Sequence, residues 1–236
     1  MAKGQLTYLQ LINRVLLRLG KSQIVSADFA GLAADSWGGL VKTTLLDAQQ
    51  ALYLEADWST LITSGTFPSS LRTYDLAASF STFGREIDLV DTTNDKTLTP
   101  TLQIYLDQAD PDLDDAGAPD RYSIQYPDLL FDLTPTSVSY RLRYVRRPVA
   151  LSAVTDVSDL PEVCDRALVL WTVWEMLSTR EDDPTGARIA GERYGHALNL
   201  AKAHDKGRMD RLHVLQAWRG RSRLPTVRYP TGYPAE

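Results

Sequence analysis

The residues able to carry out acid/base, metal or nucleophilic chemistry are few, and their spacing suits none of it. His196, His204 and His213 all lie late in the chain. The first two can share a helix face, but a first-row metal would want a third ligand, and only Asp205 and Asp210 stand near. That spacing predicts surface histidines rather than a metal centre. Glu175, Glu181, Asp182 and Asp183 cluster at what reads as a helix end. Paired carboxylates can perform general acid/base catalysis, but nothing around these marks a pocket, and a solvated helix terminus is the simpler reading.

A second acidic cluster, Asp107, Asp110, Asp112, Asp114 and Asp115, lies in "DQADPDLDDAGAPD". Closely spaced aspartates can supply the hard oxygens that calcium takes. An EF-hand loop, however, needs a glycine at its sixth position and a glutamate at its twelfth, and neither falls in register. The lone Cys164 sits inside an apolar helical pattern and reads as a small buried hydrophobe. The chain has no glycine-rich phosphate loop, no Gly-x-Ser-x-Gly elbow and no Cys-x-x-Cys pair. No catalytic residue, cofactor or metal ligand is assigned, and an enzyme is not expected.

The elements around these residues are more legible. Thr7 with Gln10 fits a capping box. Leu9, Ile12, Leu16 and Leu19 then line one helix face up to Gly20. Ser36 can cap a second helix carrying Val41, Leu45, Ala48 and Leu52, with Trp58, Leu61 and Ile62 extending it towards Gly65. Gly38 and Gly39 should weaken its first turn by roughly 1 kcal/mol each. From Thr66 the period becomes alternating: Ile87 with Leu89, Leu102 with Ile104, then Tyr122, Ile124 and Tyr126. Runs at about 121–126, 129–133 and 138–146 read as an antiparallel meander.

In the last run, Tyr140, Leu142 and Tyr144 face one way and Arg141, Arg143 and Val145 the other. Arg147-Pro148 ends it, and a linker follows to about Ser158. Asp159, or Leu160 with Pro161, should start a third helix with Val163, Ala167, Leu170, Trp174 and Leu177 on its core stripe. Asp183 and Pro184 start a fourth, where Ala190, Tyr194, Ala197 and Ala201 form a narrow seam.

With 44% apolar and 23% charged residues, the 236-residue composition is globular. No apolar run nears the roughly 20 residues of a membrane span, and no secretory leader is expected. The net charge of −5 hides an asymmetry: residues 206–236 carry seven Lys/Arg against two acids, leaving −10 on the rest. Such a block either binds an acidic surface or is a solvated terminus.

The order of these signals carries a resemblance. "NRVLLRLG" ends the first helix and "ADW" the second; "PDRY" falls in the β region; "YRLRYVRRP", Leu151 and "DLP" lead into the third helix. The arrangement resembles, over about residues 5–200, the head-to-tail adaptor proteins of short-tailed bacteriophages. The resemblance implies an α+β fold: an antiparallel four-helix bundle with an antiparallel β insertion between helices 2 and 3 and an extended C-terminal arm. The divisions would be 1–65 and 149–205 for the bundle halves, 66–148 for the insertion and 206–236 for the arm.

It also implies a virion protein assembled in the host cytoplasm, with no membrane role. A ring of about twelve copies would sit between the portal protein and the tail nozzle protein, and packaged double-stranded DNA would pass through without specific binding. Arg208, Arg211, Trp218, Arg219, Arg221, Arg223, Arg228, Tyr229 and Tyr233 would then dock the arm on the portal. Arg141 and Arg143 would meet Asp112, Asp114 and Asp115 of the next subunit, or else form a plain solvent-exposed strand face. Two other readings stay open: a nucleic-acid-binding module gripping with "RGRSR", and another neck or tail-tube ring protein.

Overall fold

Helix α1 (Tyr8–Arg18) forms as its local chemistry requires. The Thr7 hydroxyl accepts from the Gln10 N–H and the Gln10 side chain accepts from the Thr7 N–H, so two orphan donors are satisfied reciprocally. Tyr8, Leu11, Ile12, Val15 and Leu16 are buried. Gly20, at φ 68°, takes the left-handed conformation that ends the helix.

The computed structural model describes residues 5–110, 112, 114–136 and 138–220, with side chains to Gly207, Ala109 excepted. A 3₁₀ turn at Phe29–Gly31 leads to α2 (Trp37–Glu55), β1 (Ile62–Ser69), β2 (Thr73–Asp75), α3 (Leu76–Ser79), β3 (Phe83–Asp91), β4 (Lys96–Thr97) and β5 (Thr99–Pro100). Next come α4 (Gln103–Ala109), β6 (Ala116–Gly117), β7 (Arg121–Gln125), β8 (Asp128–Phe131), β9 (Thr134–Pro135) and β10 (Val138–Arg146). A second 3₁₀ turn, Glu162–Cys164, opens α5 (Asp165–Thr179), and α6 (Pro184–Gly220) completes the described chain.

The expected antiparallel four-helix bundle does not form. Among the described residues there are six α-helices and ten strands in three sheets, a mixed α+β fold. The reason lies in α5, whose buried residues Ala167, Leu168, Val169, Leu170, Thr172, Val173 and Met176 cover more than one stripe. It is a hub on which α1, α2 and α6 each pack; α1 also meets α2, while among the described residues α6 reaches the end of α2 through the Lys202–Glu55 ion pair. The seam of α6 is as expected, with Ala190, Ala197 and Ala201 buried. The arm expected to be extended from residue 206 is instead helical as far as Gly220, and residues 221–236 lie outside the described residues.

Two further elements depart from the sequence reading. Helix α2 stops at Glu55 because Trp58 turns back into the core, fully buried, its indole N–H donating to the Leu52 carbonyl at 2.7 Å. The three strands near residues 121–146 are not a meander. β7 and β8 pair as a hairpin, but β10 pairs with β1 and β3 in a sheet ordered β1-β10-β3-β4. The second sheet runs β2-β8-β7-β5, and β6 pairs with β9 separately. Tyr140 of β10 therefore meets Phe131 of β8 across a core, with ring centroids 4.7 Å apart, rather than along a ladder. Phe67, Phe80, Phe83, Leu89, Tyr122, Leu142 and Tyr144 fill the same core.

Gly39 is required by packing rather than merely tolerated. A Cβ there would overlap the Ala33 carbonyl oxygen, whereas one at Gly195, inside α6, would meet nothing within 4 Å. Chemical denaturation should accordingly show Gly39→Ala losing about 2 kcal/mol or more. Gly195→Ala should gain up to about 1 kcal/mol from helix propensity.

Candidate functional site

Strand β10 turns a basic face outward, as its alternation requires. Arg143 stands opposite Asp88 of β3 and pairs with it at 2.6 Å, so its charge is answered within the chain. Arg141, between Thr66 and Val90, is exposed and has no ion pair among the described residues. Ser64, Thr66 and Ser139 beside it are exposed too, giving a flat face of small hydroxyl side chains.

The acidic loop is anchored at one point. Asp110 is buried, pairs with Arg72 and accepts from the Asp115 N–H at 3.3 Å. Asp112, Asp114 and Asp115 are left exposed on the outside. Before the loop, Leu102 and Ile104 are not strand residues: they belong to the cap and first turn of α4. Together with Tyr105 they stand out of the fold, 65%, 59% and 53% exposed, while Leu106 beside them is buried. The alternating spacing of 102 and 104 hid this helix, and the only signal for it was the apolar pair at 105 and 106.

The route out of β10 is a tied junction. Asp159 accepts from the Arg146 guanidinium at 2.8 Å and from the Val149 N–H at 2.8 Å. Both bonds stabilise its charged form and, against the opposing effect of burial, hold its pKa below the usual range. Tyr8 N–H donates to the Asp156 carbonyl at 2.7 Å, and Thr7 bridges Val157. The expected linker is thus bound to the start of α1. On the other side Asp205 of α6 is buried and accepts from the Ser59 N–H at 2.8 Å and the Ser59 hydroxyl at 2.5 Å.

Asp165, at the start of α5, was missed in the sequence because Leu6, distant in the chain, is the residue that meets its carboxylate. Asp165 is only 6% exposed. One carboxylate oxygen accepts from the Leu6 N–H at 2.8 Å and the other has no hydrogen bond among the described residues. Burial pushes its pKa up to about 6, with Glu162 adding to the rise and the Leu6 N–H and Arg14 opposing it. A groove of about 580 Å³ lies beside it, lined by Gln10, Arg14, Glu162, Arg166, Leu200 and His204 among others.

The residues considered for catalysis are dispersed. His196 and His204 are exposed, Glu181 pairs with Lys21 at 2.6 Å, and Asp183 caps α6 by accepting from the Gly186 N–H. Cys164 is fully buried, and burial pushes its thiol up. Among the described residues no three His, Cys, Asp or Glu side chains gather as metal ligands. No helix among them is long and apolar enough to cross a membrane. Of the docking residues expected in the tail, Arg208, Arg211, Trp218 and Arg219 lie on the backbone of α6, their side chains outside the described set. Arg221, Arg223, Arg228, Tyr229 and Tyr233 lie outside the described residues altogether.

What remains is a set of surfaces suited to contact with other proteins, the profile of an assembly component. The chain matches the SU10 adaptor protein family over residues 6–221 and belongs to it. It is a bacteriophage head-to-tail adaptor, a structural protein of the virion that works with portal and tail components and with its own copies in virus assembly. A comparison with curated proteins finds no match.

The Asp165 geometry fixes a pH dependence. Its folded pKa lies above the unfolded value of 3.8, so the stabilisation from protonation is complete below about pH 4 and is lost as pH rises through about 6. Asp165→Asn, which keeps an acceptor for Leu6 and removes the charge, should match the parent chain near pH 4. By pH 8 it should be more stable by up to about 3 kcal/mol, as read from urea midpoints at each pH.

Proposed function

We propose that the chain forms a ring, of about twelve copies, between the portal protein and the tail nozzle protein, with packaged double-stranded DNA passing through its centre. The observation that carries this reading is the family match over residues 6–221. Charge supports the passage of DNA. Residues 1–205 carry −10, and a wall of like charge lacks the phosphate attraction by which basic surfaces hold DNA.

Residues 206–236 carry +5 and begin one residue after Asp205 is fixed to Ser59. From Lys206 to Gly220 the chain adds 15 residues of helix, about 22 Å, before the remaining tail. On this reading the tail is the portal-docking element. Arg208, Arg211, Arg219, Arg221, Arg223 and Arg228 pair with portal carboxylates, and Trp218, Tyr229 and Tyr233 supply apolar anchors. Assembly takes place in the host cytoplasm.

The native mass of the chain co-expressed with the portal of its own phage tests this reading, beside a version truncated after Gly207. The expected result is a discrete complex of portal plus one full ring, lost on truncation. Binding to duplex DNA in place of the portal, weakening steeply with salt and dependent on the tail, would instead establish a nucleic-acid module.

A further inference from the structure

Helix α4 is short, yet Leu102, Ile104 and Tyr105 all stand out of the fold at its start, while Leu106 anchors it. Three large apolar side chains in four residues are a costly surface for an isolated chain and mark a contact. Acidic residues predominate on and after α4: Asp107, Asp112, Asp114 and Asp115 are exposed and have no ion pair among the described residues. The partner of α4 must therefore offer a shallow surface with an unpaired cation.

The chain carries such a surface. On the outer face of the β1-β10-β3 sheet, Arg143 is neutralised by Asp88, but Arg141 stands uncompensated at the centre, on the middle strand. Its neighbours Ser64, Thr66, Ser139 and Val90 are small enough to leave room for the α4 side chains. Resting on the ring reading above, we infer that α4 and its acidic loop in one copy dock on the Arg141 face of the next.

Leu102, Ile104 and Tyr105 lie on the sheet, and Asp112 and Asp114 meet Arg141. The two surfaces are different parts of one chain, so the contact is head-to-tail. Such a contact does not stop at a dimer, and where its rotation closes it generates a ring. A guanidinium facing two carboxylates also sets orientation, because Arg141 has no competing partner among the described residues.

Charge reversal tests the pairing in full-length chain co-expressed with portal. Arg141→Asp alone, and Asp112→Arg with Asp114→Arg, should each cut the number of copies retained on the portal at least tenfold. All three changes in one chain should restore the full ring. Ile104→Asp should cut retention similarly, with no rescue by the charge changes. Since these side chains are exposed and unpaired among the described residues, each variant should keep the parent's thermal melt. In a second measurement, Thr66→Cys with Ile104→Cys in one chain should give a ladder of oxidised multimers that reductant collapses.

Full rings from every single reversal, or failure of the triple variant to recover what the reversals lose, would overturn this interface and leave the ring reading intact. If the unaltered chain forms no ring with its portal, the ring reading falls and takes this interface with it.

Discussion

Strand β10 is shared by two cores, and the rest of the structure depends on that. Tyr140, Leu142 and Tyr144 fill the aromatic core between the sheets, while Val145 belongs to the helical core built on α5. Shifts of register between Arg143 and Tyr144 and between Val145 and Arg146 turn the strand as it passes from one to the other. Its end is then held by the Arg146–Asp159 ion pair, largely shielded from solvent, and by the packing of Leu151 and Leu160. Ile62 of β1 and Ile87 of β3 pack against the same helical core, so the sheet meets the helices along three strands.

Elements set by near neighbours were readable in the sequence. The Thr7/Gln10 box, the Ser36 cap, the Asp183 cap and the alanine seam of α6 each depend on residues within one or two turns. Elements set by distant neighbours were not. Helix α2 ends where Trp58 finds the core, and β10 chose β1 and β3 over β8. The helical hub grew around α5 because its apolar residues exceed one stripe. Local periodicity contains none of that information, because pairing choice and the end of a helix are decided by what lies across the core. Candidate surfaces followed the same rule. Arg141 and Arg143 have the same spacing and chemistry, yet only the register with Asp88 separates the paired one from the unpaired one.

Chemistry and architecture are consistent with an assembly role. Carboxylates of the cluster read as a helix terminus are engaged in a cap and an ion pair, Asp183 on α6 and Glu181 with Lys21. Asp107, Asp112, Asp114 and Asp115, exposed and without an ion pair among the described residues, cluster on and after α4, and the basic excess lies in residues 206–236. Unpaired charge of this kind sets orientation and partner choice more than it adds stability.

The tie between Asp205 and Ser59 has a mechanical consequence. Helix α6 is fixed there to the base of β1, and 15 residues of helix follow. A stiff rod of about 22 Å converts rotation at its root into displacement at its tip, so about 10° of tilt would carry Gly220 about 4 Å. Strain arriving through the sheets would therefore reach the end of α6 as movement.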